Sequence, residues 1–220
     1  MKPSAYTLAT EQMNAGHDEL ALQNFHLALE EEPDRHADIY TNLGTLLLAS
    51  GEEDEALACY QRAIQLDERQ ASAYYGAGNV CYHIEKYPEA LRFYQEAQRL
   101  GMGKDQSLHF MMGICFYNQQ QFARALASLK TAVELNENDA DAHFYFGLVL
   151  AQLQMIEEAI VQFSRTVAIN SSHADAYYNL GVAHAHKGEH ERAEHYYEEA
   201  LHIQPDHLLA GHGLKQNKEQ

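Results

Sequence analysis

Histidine and cysteine are the side chains of this chain best suited to chemistry, as metal ligands, bases or nucleophiles. There are 14 histidines among 220 residues, eight of them between His173 and His212. A zinc site needs several neutral imidazoles or thiolates meeting at one point, with carboxylates orienting them. His184 and His186 are two apart and His186 and His190 four apart, but Gly188 falls inside the second pair and breaks one-turn helical geometry. No zinc spacing is matched, and the histidines are expected to be scattered over the surface. Cys59, Cys81 and Cys115 are odd in number and far apart. They suggest no disulfide framework and fit a reducing cytoplasm. Cys81 and Cys115 are expected to be small buried hydrophobes, and Cys59 to be partly exposed. Gly-rich phosphate loops, G-x-S-x-G and H-E-x-x-H are all missing from the sequence, so neither catalysis, a cofactor nor a metal is expected.

Charge narrows the partners. Fifteen Lys and Arg stand against 32 Asp and Glu, a formal net charge of −17. A nucleic-acid binder gains affinity by displacing counterions with cations, so nucleic acid is excluded as a partner. Two readings of the acidity stay open: recruitment of a basic protein, or a solvated outer surface that keeps the chain soluble. No stretch approaches the roughly 20 apolar residues of a spanning helix. The start, MKPSAYTLAT, reads as neither a secretory signal nor an anchor, so no membrane association is expected.

The elements that position these residues recur. Ala21, Ala56, Ala90, Ala125, Ala159 and Ala193 follow one another at gaps of 35, 34, 35, 34 and 34. Four places after each comes a large residue: Phe25, Tyr60, Tyr94, Leu129, Phe163 or Tyr197. Three places further on comes Ala28, Ala63, Ala97, Ala132, Thr166 or Ala200. Positions four and seven apart share one face of a helix, so this set is the buried face of a second helix, B, in each repeat. Twelve places before the first alanine stands Ala9, Gly44, Gly78, Gly113, Gly147 or Gly181, inside a first helix, A. Glycine there costs about 1 kcal/mol of helix propensity, and its repeated use predicts close approach of a neighbouring backbone. The A–B turn is expected at Gly16, Gly51, Glu85, Gln120, Gln154 and Gly188.

A 34-residue period with small–x–x–x–aromatic–x–x–small in its second helix resembles the tetratricopeptide repeat, or TPR. The likeness runs from residue 2 to about 207, with repeats at 2–36, 37–70, 71–105, 106–139, 140–173 and 174–207 and a capping helix at 208–217. It implies an all-α fold: a right-handed superhelical solenoid of about six helix-turn-helix repeats, making one domain of residues 1–220. Departures are visible. The chain has no tryptophan, the usual Trp/Tyr position holds Tyr40, Tyr74, His109, His143 and Tyr177, and the terminal proline is replaced by Glu68, Met102, Glu137 and Ser171. One extra residue enters at Leu100-Gly101-Met102-Gly103. Leu208, Leu209 and Leu214 of the capping helix are expected to close the stack. The runs YYGAGNV, AVELNEND and IQPDH are similar to small stand-alone bacterial members of the family, which implies a cytoplasmic mediator without catalytic residues.

The resemblance also implies a concave groove lined by helix A at positions five, nine and twelve of each repeat. Here these include Tyr75, Asn79 and Tyr82, then Phe110, Ile114 and Tyr117, then Phe144 and Leu148, then Tyr178. This set is the expected peptide-binding site, with Asn79 able to hold a peptide backbone through its amide and the aromatics as anchors. The alternative is that the same stripe packs as core beneath a neighbouring repeat. None of the groove positions is Lys or Arg, so a clamp on a C-terminal carboxylate is excluded. The function expected is capture of a protein or peptide segment. The alternative is self-assembly, with the groove or the C-terminal helix filled by another copy.

Overall fold

The A–B turns show how the chain folds back on itself. All six expected turn residues have positive φ: Gly16, Gly51 and Gly188 at 73°, 80° and 75°, and Glu85, Gln120 and Gln154 at 59°, 58° and 61°. Each closes a helix with its carbonyls satisfied. At the second type, Gln120 N donates to Tyr117 O at 2.8 Å and Gln121 N to Phe116 O at 2.9 Å. A left-handed residue with a Cβ is strained by about 1–2 kcal/mol, and glycine is not. Gln120→Gly is therefore expected to raise stability by about 0.5–1 kcal/mol after the added freedom of the unfolded chain is subtracted. Urea denaturation of the single variants at 85, 120 and 154 checks this, and no gain at any of them would refute it.

A computed structural model describes residues 3–219. Lys2, where the first repeat was expected to begin, lies outside them. Among the described residues there are thirteen α-helices and no strand. They form two compact units, Met1–Lys104 and Asp105–Gln220. The first holds α1 (Ala5–Asn14), α2 (Asp18–Glu31), α3 (His36–Ala49), α4 (Glu53–Leu66), α5 (Ala71–His83) and α6 (Tyr87–Arg99). The second holds α7 (Gln106–Asn118), α8 (Phe122–Leu135), α9 (Ala140–Gln152), α10 (Ile156–Ile169), α11 (Ala174–His186), α12 (His190–Ile203) and α13 (Leu208–Lys218). Within each unit consecutive helices pack as A–B pairs, and each B helix also touches the next A helix. The boundary falls just after the junction with the extra residue, where Gly101 has φ 122°.

The core is the small–large–small face of the B helices. Ala56, Ala63, Ala90, Ala97, Ala125, Ala132 and Ala159 are fully buried, as are Phe25, Tyr94 and Leu129. Each large side chain contributes about 1.5–3 kcal/mol by burial. The helix-A glycines serve these side chains, and this corrects the sequence expectation that they admit a neighbouring backbone. A Cβ built on Gly113 would lie 2.5 Å from Leu129 Cγ, on Gly78 2.5 Å from Tyr94 Cε1, and on Gly147 2.6 Å from Phe163 Cε1. The B-helix side chain thus lies flat on the glycine of its own A helix, and a methyl group there would displace it.

The capping helix also departs from expectation. Leu208 and Leu209 are 86% and 58% exposed, while the buried residues of α13 are Ala210 and Asn217. Gly213 abuts the Tyr197 ring, and Asn217 Nδ2 donates to His190 O at 2.8 Å. The leucines sit in the first turn of the helix, and its packed face is carried by the positions around Ala210, Gly213 and Asn217.

Candidate functional site

Helix A of each pair carries the expected binding residues. In the first unit, Tyr75 and Asn79 of α5 line a cleft of about 310 Å³ with Tyr6, Asp38, Asn42 and Thr45. The Tyr75 ring leans on Tyr94, centroids 5.7 Å apart. Asn79 Oδ1 accepts a 2.8 Å hydrogen bond from the Tyr94 hydroxyl, and Thr45 Oγ1 lies 3.0 Å from the Tyr60 hydroxyl. Position nine thus satisfies the tip of a buried B-helix tyrosine, a role the sequence did not suggest. One half of the Asn79 amide is committed to the core, and its Nδ2 donates to nothing among the described residues. Tyr82 packs on Tyr87 with centroids 5.9 Å apart and is half-buried.

In the second unit the structure brings together Phe110, Tyr117 and Phe144 around Tyr145, a residue absent from the expected set. Their centroids lie 5.7, 6.2 and 5.7 Å from that of Tyr145, at interplanar angles of 76°, 80° and 76°. All four rings are half-buried. Phe144 is fixed from behind, resting on Phe163 at 5.9 Å and on His173 at 4.4 Å. Burial pushes the Tyr145 phenol pKa up, and Asp141, Tyr117 and Asp175 push it the same way. Two acids therefore act on this ring. Leu148 is half-buried, whereas Ile114 is buried at 4% exposure and withdrawn from the surface. Tyr178 sits apart from the cluster, on Tyr197 at 6.1 Å and His207 at 5.3 Å. Tyr145 had a weak signal, as the middle of the run Phe144-Tyr145-Phe146. Asp141 had another, one helical turn before it.

The expectation of scattered surface histidines is overturned for four of them. His109, His143, His184 and His207 are buried. His143 bonds Gln162 Oε1 at 2.7 Å and Glu137 O at 3.1 Å. His173 and His207 cap α11 and α13, their Nδ1 atoms accepting from the Ala176 and Ala210 amides. Asp105 and Asp139 do the same for α7 and α9. A side chain at the junction that accepts an amide hydrogen bond is what a helix start needs, and imidazole supplies it as carboxylate does. Among the described residues no three His, Cys, Asp or Glu side chains are placed to hold a metal ion. Cys81 and Cys115 are buried and Cys59 is half-buried, and none of the three is in a disulfide.

His184 belongs to a charged network at the α11–α12 turn. Its Nδ1 lies 2.6 Å from Glu189 Oε2, and its ring stacks on Tyr196. Lys187 Nζ is 2.9 Å from both Glu189 and Glu157, and Arg192 is 3.1 Å from Glu189. Lys187 first, then His184, hold the Glu189 carboxyl down to about 2. A depressed carboxylate stabilises the fold above its ordinary pKa, and that stability is lost as pH falls through the folded value. Wild type should thus exceed Glu189→Gln at neutral pH, with the gap closing between about pH 4.5 and 2. Urea midpoints across that range test it, and a gap that persists at pH 2 would contradict it.

Paired helices of this length and six positive-φ turns define an all-helical repeat protein. The particular class is shown by comparison. Tetratricopeptide repeat families match residues 6–67, 37–102 and 174–207, and a TPR family also matches 115–154 and 147–188. The structure of YrrB, a TPR protein with an unusual peptide-binding site, is 43% identical. It covers 87% of this chain and 97% of its own, with a TM-score of 0.77. The chain belongs to the tetratricopeptide repeat family. The structure of pilF from Pseudomonas aeruginosa shares the fold at 18% identity, with a TM-score of 0.84 over 98% of this chain and 96% of that one. Tetratricopeptide repeat protein 8 of Caenorhabditis elegans is 26% identical over 119 residues, 54% of this chain. The chain spans only 23% of the length of that curated relative. No described helix is long and apolar enough to cross a membrane.

Proposed function

We propose that the chain acts as one repeat domain, 1–220, that captures an extended segment of a partner protein on its helix-A face and catalyses nothing. The observation that carries this reading is the cluster of Phe110, Tyr117, Phe144 and Tyr145. These four large rings pack edge-on around Tyr145, with Phe144 seated on the core ring of Phe163, and all four are left half open. Rigid aromatic surface with little rotamer freedom to lose is the usual centre of a binding interface. The likeness to YrrB, which has a peptide-binding site, supports the same reading. The acidic balance of −17 favours a basic partner. Three cysteines outside any disulfide suit a reducing cytoplasm. The test is selection of short peptides from a random library against the full chain, followed by affinity measurement on Phe110→Ala and Phe144→Ala. Selected peptides indifferent to both substitutions would overturn the proposal.

A second reading is favoured by one observation. Leu208 and Leu209 leave an apolar pair open on α13, a surface that a second copy of the chain would cover. Light scattering across a dilution series, on wild type and on Leu208→Ser/Leu209→Ser, separates the readings. Self-assembly requires an association that the double variant abolishes.

A further inference from the structure

We propose that the rings around Tyr145 receive an arginine side chain of the captured segment, with Asp141 and Asp175 as its counter-charges. This rests on the capture reading and adds the chemistry of what is captured. The first support is shape. Phe110, Phe144 and Tyr117 stand nearly perpendicular to Tyr145, at 76°, 76° and 80°, and all four rings are half-buried, so part of each ring surface stays open to a partner. A ring face attracts a cation through its quadrupole, and a planar guanidinium can also lie flat along it.

The second support is charge. Asp141 lies one turn before Tyr145 in α9, is exposed, and pairs with no cation among the described residues. Asp175 leaves 64% of its side chain exposed, and its carboxylate lies 3.2 Å from His207 Nε2. Both carboxylates act on Tyr145. An exposed acid one turn from Tyr145, and a second that acts on the same ring, suit a fork of N–H donors, which arginine has and lysine lacks.

The third support is that the chain already holds one such arrangement of its own. The Arg35 guanidinium carbon stands 4.7 Å over the centre of the Tyr6 ring, with its Nε 3.5 Å from Glu32. Tyr6 occupies the same position of its repeat as Phe110 and Phe144 do of theirs. At Tyr6 the cation comes from within. Among the described residues no lysine or arginine stands over Phe110, Phe144 or Tyr145 in this way. The cluster has the ring and the acidic counter-charge of the Arg35 site and lacks the cation.

The experiment starts from the peptides selected above against the full chain. In a bound peptide the arginine is replaced by citrulline, which is nearly the same shape and neutral. In a second version it is moved to the peptide end, keeping net charge. Each change is expected to weaken binding about tenfold or more. Asp141→Asn should weaken the arginine peptide comparably and leave the citrulline peptide unchanged. Tyr145→Leu should weaken the arginine peptide as well; should it unfold the unit, the exposed Asp141→Asn carries the test alone. Peptides that need Phe144 but bind equally with citrulline would overturn the arginine site and leave segment capture standing. Peptides insensitive to every ring substitution would overturn both.

Discussion

Gly76→Ala is expected to destabilise the first unit by about 1–3 kcal/mol or more, although it adds only a methyl group to a helix. By propensity alone alanine should be better by about 1 kcal/mol. The opposite sign follows from Tyr60. Its ring is 2% exposed and lies between two glycines, with built Cβ positions 3.0 Å away at Gly44 and 2.2 Å away at Gly76. Its hydroxyl is held 3.0 Å from Thr45. The ring cannot retreat from the new methyl toward Gly44 without closing that second contact, nor swing outward without losing the hydrogen bond. Gly211→Ala in α13 is the control, because its nearest neighbour would be Leu201 Cδ2 at 4.0 Å. There alanine should stabilise by about 0.4–1 kcal/mol. At this chain length each kcal/mol moves the melting point by roughly 2–4 °C, so thermal melts resolve the two signs. Substitutions that shift stability equally and in the same direction would show that the glycines do not seat the rings.

Phe144→Ala is expected to weaken peptide binding by about 1–3 kcal/mol, a tenfold to hundredfold loss in affinity. Phe144 touches Tyr145 on one side and the Phe163 core ring on another, and it remains half-buried in the free protein. Its truncation should cost less stability than the ~3–5 kcal/mol of a fully buried aromatic such as Tyr94 or Phe163. Phe110 has fewer supports: among the described residues the Tyr145 ring is the aromatic neighbour it packs on. Phe110→Ala should therefore give a similar affinity loss with a smaller stability loss. Both variants need a melt and a titration. A large stability loss with unchanged affinity in the folded fraction would make the rings core, and would move the binding surface elsewhere on the molecule.

The repeat was legible in the chain because it is a local property. The A–B turns could be placed to the residue, even where Glu85, Gln120 and Gln154 stand in for glycine, since a fixed period carries the turn from one repeat to the next. The buried alanines and the large residue between them follow from helical spacing alone. The same holds for Cys81 and Cys115, which fall on the inner side of their helices.

What only the tertiary structure decided is which of these local features meet. The glycine family and the B-helix ring family were each visible in the sequence. That they are partners, ring on glycine, depends on the distance between two helices. Position nine was read as groove. It proved to be shared with the core because the hydroxyls of Tyr60 and Tyr94 end there and a buried hydroxyl needs a partner. Buried histidine was unexpected because imidazole is mostly found exposed or half-exposed; Gln162 beside His143, Glu189 beside His184 and the Ala210 amide beside His207 offset the cost of burial. Tyr145 lay outside the expected positions altogether. Its place at the centre of the ring cluster comes from α7 and α9 lying side by side, which brings Phe110 and Tyr117 of one helix against Tyr145 of the other. Sequence spacing orders residues along a single helix, whereas a binding face is made between helices, by packing that no one helix encodes.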